Sequence, residues 1–327
     1  VNPNLTDSSF PSSALAGVGV IFYLMLALRS RMRQIGWFEH RHEPNLGDFL
    51  DLVALGTVAD LVPLDKNNRI LVGRGLERIN CNRCRPGISA LLEFGRARPG
   101  ETSASDLGFV VAPRINAAGR LKDMSLGIEC LLEDNYHRAR DMAKELDGLN
   151  KQRRQIESDM KSQALTIVDR MQLCGGLPAG ICLYEDSWHQ GVVGLIASRV
   201  KDRTGKPVVA FAKADQQELK GSARSVQGLH MRDVLNAIHT RHPGLIARFG
   251  GHAAAAGLAL NLSDYDAFQA AFAKEVEMQL DGQDETDVIY SDGALEESDM
   301  SIDFARLLKK SGPWGQGFPE PLFDDEF

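Results

Sequence analysis

The chain has 327 residues, of which 43% are hydrophobic, 25% charged and 7% aromatic. These values are typical of a globular protein and exclude a disordered or collagen-like chain, and the length predicts about two domains. The 37 basic and 44 acidic residues give a net charge of −7. Any surface that binds nucleic acid must therefore be a local cluster of Arg and Lys on an acidic body.

The longest apolar run, residues 14–28, predicts a buried helix capped by Ser12 or Ser13. It contains two glycines and is shorter than the roughly 20 residues of a membrane span, so no membrane partner is expected. The five cysteines are scattered and odd in number, which favours a reducing compartment such as the cytoplasm. Cys81 and Cys84 form a CxxC pair without a second pair nearby, so a local structural role is expected.

Apolar residues at helical spacing predict further helices in the first half of the chain, at 45–59, 69–80 and 105–134, the last interrupted at 112–120. Residues 136–171 predict a long charged helix whose narrow apolar stripe is typical of a connection between domains.

The second half alternates between strand and helix patterns. The predicted strands are 180–184, 207–211, 219–225 and 257–260, and the predicted helices are 192–204, 231–239 and 264–280. This order predicts an α/β fold with a mixed sheet. Residues 281–312 are acidic and then helical, and 313–321 are irregular.

Two stretches of the first half carry candidate chemistry. Asp60 ends a helix on an otherwise apolar stretch, where it is either a ligand for a hard metal ion or a plain solvated carboxylate. Arg114, Asn116 and Arg120 surround a turn of small residues at Pro113. They form either a phosphate clamp, since Arg binds phosphate bidentately, or surface ion pairs.

Two stretches of the second half are suited to binding phosphate. The strand-to-helix loop 188–194 brings backbone N–H groups and His189 to a helix start, where anions bind. The alternative is an ordinary loop packed through Trp188. Ser222 and Arg224 share one face of a strand and suit a phosphate, or else form a polar edge strand.

A run of small residues at 250–257 is the most unusual stretch of the sequence. Gly250 and Gly251 lack side chains, so the backbone there can approach a ligand closely. His252 is then the one polar side chain of the run and is free to donate to a phosphate. The alternative is tight packing around a satisfied core histidine.

These motifs together resemble a known family. GGHAAAAG at 250–257 resembles the GGHxxAAG signature of the DHHA1 domain, and GTVAD at 56–60 resembles the fourth motif of the DHH phosphoesterase superfamily. PRINAAGR at 113–120, WHQGVVG at 188–194 and GSARS at 221–225 resemble the RecJ family of bacterial single-strand-specific exonucleases. PWGQGFPEPLF at 313–323 resembles the start of that family's OB-fold domain.

The resemblance implies the remainder of a DHH-type α/β domain, joined by a long helix to a DHHA1 mixed-sheet α/β domain. The expected segments are the C-terminal part of the DHH domain (1–135), the connecting helix (136–174), the DHHA1 domain (175–283), and a connector with the start of the OB fold (284–327). The family's DxD and Asp-His-His motifs do not occur here. The sequence is therefore expected to lack the N-terminal catalytic half and most of the OB fold.

The implied activity is a metal-dependent 5′→3′ exonuclease that releases 5′-mononucleotides from single-stranded DNA in repair and recombination. Two Mn²⁺ or Mg²⁺ ions are implied, with most ligands upstream of this chain, and single-strand-binding protein and a RecQ-type helicase are implied partners. The matching residues are Asp60 as metal ligand, Asn116, Arg120 and His252 as catalytic groups, and Arg114, His189, Ser222, Arg224, Gly250 and Gly251 as strand-binding groups.

Two other functions remain open. One is a DHH–DHHA1 phosphodiesterase that acts on short oligonucleotides or cyclic dinucleotides. The other is a non-catalytic nucleic-acid-binding scaffold, because one matched metal ligand cannot hold two ions. The OB-like tail and the inserted helices favour a polymer substrate. The 327-residue chain alone is expected to have little or no nuclease activity.

Overall fold

The computed structural model describes residues 2, 3, 5, 8–280 and 290–324. The chain divides into two compact units. Unit 1 comprises Val1–Asn150 and Val288–Phe327, and unit 2 comprises Lys151–Asp287. The boundary between the units falls within one long helix, and the predicted division into four family segments stays a prediction.

Unit 1 is mainly helical in its described residues. Its helices are α1 (Gly17–Gln34), α2 (Leu50–Ala59), α3 (Lys66–Asn80), α4 (Pro86–Phe94), α5 (Ala104–Asp106), α6 (Ala112–Leu121), α7 (Ser125–Leu132), the first part of α8 (Tyr136–Leu173), and α12 (Ile302–Ser311). A one-turn π-helical segment, Leu107–Val111, joins α5 to α6. The core is built mainly from fully buried aliphatic side chains such as Val72, Ile88, Leu91, Leu107 and Leu146.

Helix α1 differs from its prediction in burial and in capping. Of its apolar residues only Phe22 is buried, whereas Ile21, Leu24 and Leu28 are exposed. No side chain caps its start at Ala16. Ser12 instead donates to Asp65 Oδ2 at 2.6 Å, and the other Asp65 oxygen caps α3 by accepting from the Asn68 N–H. The prediction of a buried, serine-capped helix is therefore wrong: one face of α1 is exposed, and the helix begins at Gly17, beyond Ser12 and Ser13.

The predicted turn around Pro113 is also wrong. Residues 112–121 form helix α6, and Pro113 lies in its first turn. The helix is continuous through this point, and the π-helical segment directly before α6 shifts the hydrogen-bond register where proline supplies no N–H. Arg114, Asn116 and Arg120 consequently lie on a helix and not on a loop of small residues.

Helix α8 has 38 residues and confirms the predicted long helix. Ala139, Ala143 and Leu146 face the core of unit 1 at helical spacing. Met160, Ala164 and Val168 are buried at the same helical spacing in unit 2. One continuous amphipathic helix thus contributes to the core of each unit.

Unit 2 contains a five-stranded mixed sheet with the strand order β1-β2-β3-β5-β4. The strands are β1 (Ile181–Tyr184), β2 (Val208–Lys213), β3 (Glu218–Arg224), β4 (Arg248–Gly251) and β5 (Ala255–Asn261). β1 and β2 are parallel, and all other pairs are antiparallel. Helix α9 (Val193–Thr204) packs on β2 and β3, and α10 (Met231–Arg241) and α11 (Tyr265–Leu280) pack on the opposite face.

The sheet confirms the predicted mixed α/β architecture, with one strand missed. Gly205 has φ 66° and ends α9, a conformation that glycine adopts without strain. The following β2 is rich in β-branched residues and buried on both faces. β4 is short, mostly exposed and glycine-containing, so it lacks the alternating pattern that marks a strand.

The last described segment follows the prediction in part. Helix α12 confirms the helical end of 281–312, whereas 281–289 lie outside the described residues. Residues 313–324 contain no regular element beyond an isolated bridge between Gly315 and Phe318. Among the described helices, none combines the length and the apolarity that crossing a bilayer requires.

Candidate functional site

Arg224 and Ser222 lie two residues apart on β3, on the sheet face that α9 covers. The Arg224 guanidinium donates through Nε to Ser198 Oγ of α9 at 3.1 Å. Through Nη1 it donates to Ser222 Oγ at 3.0 Å and to the Ala223 carbonyl oxygen at 2.8 Å. Hydroxyl and carbonyl acceptors of unit 2 thus fix the orientation of the guanidinium.

Gly194 allows the backbone of α9 to approach this pair closely. A Cβ atom at position 194 would lie 2.9 Å from Ser222 Oγ and 3.0 Å from Arg224 Nη2. α9 begins at Val193, and no side chain caps its first turn. Backbone N–H groups at such a helix start carry partial positive charge and bind anions. We call Val193, Gly194, Ser222 and Arg224 the β3–α9 corner, which is suited to a phosphate.

His189 lies in the loop between β1 and α9. Its Nδ1 accepts a hydrogen bond from the Gly191 N–H at 3.1 Å, and its carbonyl oxygen accepts one from the Val192 N–H at 2.9 Å. A neutral imidazole that accepts at Nδ1 carries its proton at Nε2. The half-buried His189 therefore offers an N–H donor to a ligand, which suits a phosphate oxygen better than a metal ion.

His252 repeats this arrangement in the turn between β4 and β5. Its Nδ1 accepts from the Ala254 N–H at 3.3 Å, and its own backbone N–H donates to the Ala255 carbonyl oxygen at 2.9 Å. The side chain is exposed, so the alternative of a packed core histidine is wrong. His252 thus presents an Nε2–H donor at the surface of unit 2.

The glycines around His252 leave bare backbone on the sheet. A Cβ atom at Gly251 would lie 2.4 Å from the Ala255 carbonyl oxygen, so only glycine fits there. Gly257 pairs in register with Ser222 on one side and Gly250 on the other, and cross-strand partners share a face. Gly250 and Gly257 are exposed. We call these two residues the bare-backbone face, which continues the side of the sheet that carries Ser222.

One ion pair shapes the electrostatics at the start of the His189 loop. Lys213 at the end of β2 forms an ion pair with Asp186 at 2.7 Å. This hydrogen bond from Lys213, together with one from Tyr184, lowers the pKa of Asp186. The carboxylate near this loop is therefore paired with a cation.

Asp60 is the C-cap residue of α2 in unit 1 and is exposed. No described residue donates a hydrogen bond to its carboxylate or pairs with it. A carboxylate at a helix C-terminus lies at the negative end of the helix dipole, which costs about 0.3–1 kcal/mol. A carboxylate in such an unfavourable position is expected where its role is to bind a cation.

The loop after Asp60 is held firmly. The Leu64 N–H donates to the Gln316 carbonyl oxygen at 2.7 Å, and the Leu64 carbonyl oxygen accepts from Arg69 Nη1 at 3.0 Å. The Arg69 guanidinium also lies 4.1 Å from the centre of the Phe318 ring. Loop 60–65 is thus fixed on one side by the segment that follows α12.

A cleft of about 350 Å³ lies beside this helix end. Its lining is mostly apolar and comes from α1, α2, α6 and α7, and it includes Ala59 and Asn116. The structure therefore brings Asn116 to the same cleft as the residue that precedes Asp60. Arg120 is half-buried one residue before the end of α6.

Arg114 is engaged inside unit 1. Its Nε and Nη2 both lie 2.9 Å from Asp147 Oδ1, with the two side chains only 14% and 8% exposed. Nη1 donates to the Val110 carbonyl oxygen at 2.6 Å, and Nη2 also lies 3.4 Å from the Phe94 carbonyl oxygen. These contacts favour the ion-pair alternative, in which Arg114 anchors α6 to α8, and its strand-binding role stays a prediction.

The described residues do not form a complete metal centre. Within residues 2, 3, 5, 8–280 and 290–324, no group of three or more His, Cys, Asp and Glu side chains is arranged to hold an ion. Asp60 offers hard oxygen donors of the kind that Mg²⁺ and Mn²⁺ prefer, so it fits as one ligand of such a site.

Sequence reasoning missed two contributors to the β3–α9 corner. Gly194 belongs to the WHQGVVG motif but carries no side-chain chemistry, and Ser198 follows it at i+4 on the same helix face. The signal available in the sequence was a glycine and a serine four residues apart on one face of a helix that packs on a sheet.

One class of domain contains all the features described for unit 2: the bare-backbone face, the β3–α9 corner, and His189 and His252. Residues 177–278 match the family model described as the DHHA1 domain. Residues 291–327 match the model described as the RecJ OB domain.

The whole chain aligns with curated relatives of one name. It is 54% identical over 330 residues to the single-stranded-DNA-specific exonuclease RecJ of Salmonella typhimurium, and 53% identical over 330 residues to that of Escherichia coli. Both alignments cover 100% of this chain and 57% of the relative. The chain belongs to the RecJ family, and it spans little more than half the length of these relatives.

Solved structures agree with this assignment. The crystal structure of RecJ from Thermus thermophilus in complex with Mn²⁺ matches with a TM-score of 0.81 and 31% identity, covering 96% of this chain and 44% of that chain. The structure of the same protein in complex with Mg²⁺ matches with a TM-score of 0.77 and 31% identity, covering 98% of this chain and 46% of that chain.

Proposed function

We propose that this chain is part of a metal-dependent 5′→3′ exonuclease that releases 5′-mononucleotides from single-stranded DNA in repair and recombination. The observation that carries the proposal is the β3–α9 corner beside the bare-backbone face in unit 2. A corner of N–H and guanidinium donors suits a phosphate, and bare backbone next to it leaves room for a single strand. The names of the relatives that align with the whole chain support DNA as the polymer.

In this proposal unit 2 holds the strand through its phosphates. Arg224 and Ser222 bind one phosphate together with the N–H groups at the start of α9. His189 and His252 donate from Nε2 to phosphate oxygens nearby along the strand. Contacts of this kind give salt-dependent binding with little sequence preference.

Gly250 and Gly251 act in the proposal through the space that they leave. A side chain at position 250 would cover the bare-backbone face, and one at 251 would displace the turn that presents His252. We assign these glycines to strand binding and His252 to the catalytic groups, where its proton offsets charge that develops on the phosphate.

Unit 1 contributes Asp60, Asn116 and Arg120 to the chemistry. Asp60 is proposed as one ligand of Mn²⁺ or Mg²⁺, and such ions would activate the attacking water and stabilise the leaving oxygen. Asn116 and Arg120 are proposed to donate to the phosphate that is cleaved. Because Asp60 is the single ligand matched here, we expect the chain on its own to bind single strands with little or no hydrolysis.

The absence of a complete ligand cluster among the described residues favours a second candidate, in which this chain is a non-catalytic binding scaffold. Hydrolysis by the complete enzyme of which this chain is proposed to be part separates the two functions. Release of mononucleotides from a 5′-labelled single strand in Mn²⁺, and its loss in Asp60→Asn, would support the nuclease. Strand binding without any release, in the presence of every divalent ion tested, would support the scaffold.

Strand binding itself is tested by fluorescence anisotropy with oligothymidylate and with a blunt duplex. We expect preference for the single strand, weakening by about tenfold in Arg224→Ala, and a salt slope reduced by about 0.7 for the lost phosphate contact. The matched control is Arg306→Ala in α12, outside the site. Equal binding of duplex and single strand, or unchanged binding in Arg224→Ala, would contradict the proposal.

The resemblance also supports the cytoplasm as compartment, and single-strand-binding protein and a RecQ-type helicase as partners. Affinity chromatography with each purified partner tests the last point. Retention of the chain by either protein in the absence of DNA is the expected result.

A further inference from the structure

We propose that Gln163 of α8 is a positioning residue for strand binding, because its hydrogen bond to Trp188 sets the orientation of His189. The inference rests on the proposed function of unit 2. It assigns a role to a residue outside the motifs that identify the family, on a helix that otherwise serves as a connector.

The contact joins an accessible side chain to a buried one. Trp188 is only 4% exposed, and its indole Nε1–H donates to Gln163 Oε1 at 2.8 Å. The indole N–H is the one polar group of that side chain and has no acceptor capacity of its own. A buried donor that loses its acceptor is costly, so this bond selects one orientation of the ring.

Trp188 in turn determines where His189 lies. The Trp188 N–H donates to the Glu185 carbonyl oxygen at 3.1 Å, which closes a turn directly before the histidine. Gly191 and Val192 then bind the ring and the carbonyl oxygen of His189. The buried indole is thus the anchor directly beside His189, whereas the loop's other long-range bonds, to Lys213 and Lys220, come from the exposed Asp186 and Gln190. A rotation of the indole is transmitted to the adjacent residue.

A second contact keeps α8 fixed against α9. The Glu157 carboxylate, whose side chain is 13% exposed, accepts from Arg199 Nε of α9 at 3.2 Å and forms an ion pair with Arg153 at 2.5 Å. Helix α9 carries Gly194 of the β3–α9 corner and also Ser198, which accepts a hydrogen bond from Arg224. The acceptor at position 163 is therefore presented by a helix that is independently held against α9.

The test compares three variants of the 327-residue chain. Gln163→Leu removes the acceptor, Gln163→Glu keeps an oxygen in its place, and Gln155→Leu changes an exposed glutamine of the same helix that bonds Asp159. Because residue 163 is itself exposed, the leucine creates no cavity in the core. Circular dichroism and thermal unfolding confirm that each variant is folded.

The first measurement is the ¹H–¹⁵N signal of the Trp188 indole. We expect Gln163→Leu to move this signal upfield as the hydrogen bond is lost, and Gln163→Glu and Gln155→Leu to leave it bonded. The second measurement is the dissociation constant for oligothymidylate. We expect about a fivefold increase in Gln163→Leu, and values within about twofold of the parent chain in the other two variants.

A double-mutant cycle then separates positioning from a general effect on stability. If Gln163 acts through the histidine, Gln163→Leu adds nothing to the loss of affinity already caused by His189→Ala. Additive losses in the double variant would overturn the inference, as would parent-like binding by Gln163→Leu. If the parent chain itself fails to bind the strand, the proposed function of unit 2 fails, and the positioning role fails with it.

Discussion

Replacing Gly194 by alanine should separate binding from folding in unit 2. The added Cβ would lie 2.9 Å from Ser222 Oγ and 3.0 Å from Arg224 Nη2, so both side-chain ends must move by a few tenths of an ångström. Alanine gains up to about 1 kcal/mol in helix propensity over glycine, less in a first turn, and this offsets the steric cost. Thermal stability should therefore change little.

The same shift should weaken strand binding considerably. Moving the serine hydroxyl and the guanidinium away from the start of α9 removes their common geometry for one phosphate. We expect a dissociation constant about tenfold higher, equivalent to about 1.4 kcal/mol. Anisotropy with oligothymidylate measures the affinity, and circular dichroism measures the melting temperature of the same sample.

Gly148→Ala in α8 is the matched control for this experiment. A Cβ atom there would meet nothing within 4 Å, so the variant should gain about 1 kcal/mol of stability and bind the strand normally. If Gly194→Ala binds as tightly as the parent, the β3–α9 corner does not bind phosphate. If it unfolds instead, the side-chain ends are more rigid than we infer.

Three further predictions concern stability and reactivity. Arg114→Ala should lower the free energy of unfolding by about 3 kcal/mol in urea, because it leaves the Asp147 carboxylate buried without its cation; a change below about 1 kcal/mol would refute the anchor role. Two backbone N–H groups lower the pKa of Asp215 below 3.8, so its contribution to stability is present above that value and is lost as the pH falls through the folded pKa; acid unfolding of Asp215→Asn should accordingly depend less on pH. Burial raises the pKa of Cys130 to about 11, so iodoacetamide at neutral pH should label the exposed Cys81 and leave Cys130 intact until the chain unfolds, as mass spectrometry would show.

The parts of the fold predictable from sequence are those where local pattern and tertiary packing agree. The long helix α8 and the β-branched strand β2 follow directly from their periodicity and composition. The N-terminal apolar run was misjudged because periodicity reports an apolar face and not what covers it, and Leu24 and Leu28 remain exposed. Strand β4 was missed because glycines give no alternation to detect.

The candidate site was predictable in its chemical types and less so in its geometry. The residue types at 189, 222, 224 and 252 pointed to phosphate, and the structure adds the helix start and the hydrogen bonds that orient them. The contact between Arg114 and Asp147 joins positions 33 residues apart, and no local pattern indicates such a pairing. Gln163 was missed for the same reason, since its partner lies 25 residues further along the chain.

The bare-backbone face has a consequence for how a polymer would travel across unit 2. Gly250 and Gly257 offer no side chains that distinguish one nucleobase from another. We expect a strand lying there to have nearly equal energy in each register, with small barriers between successive positions. With such small barriers, the end of the nucleic-acid strand would advance by one nucleotide at a time without pausing at particular sequences.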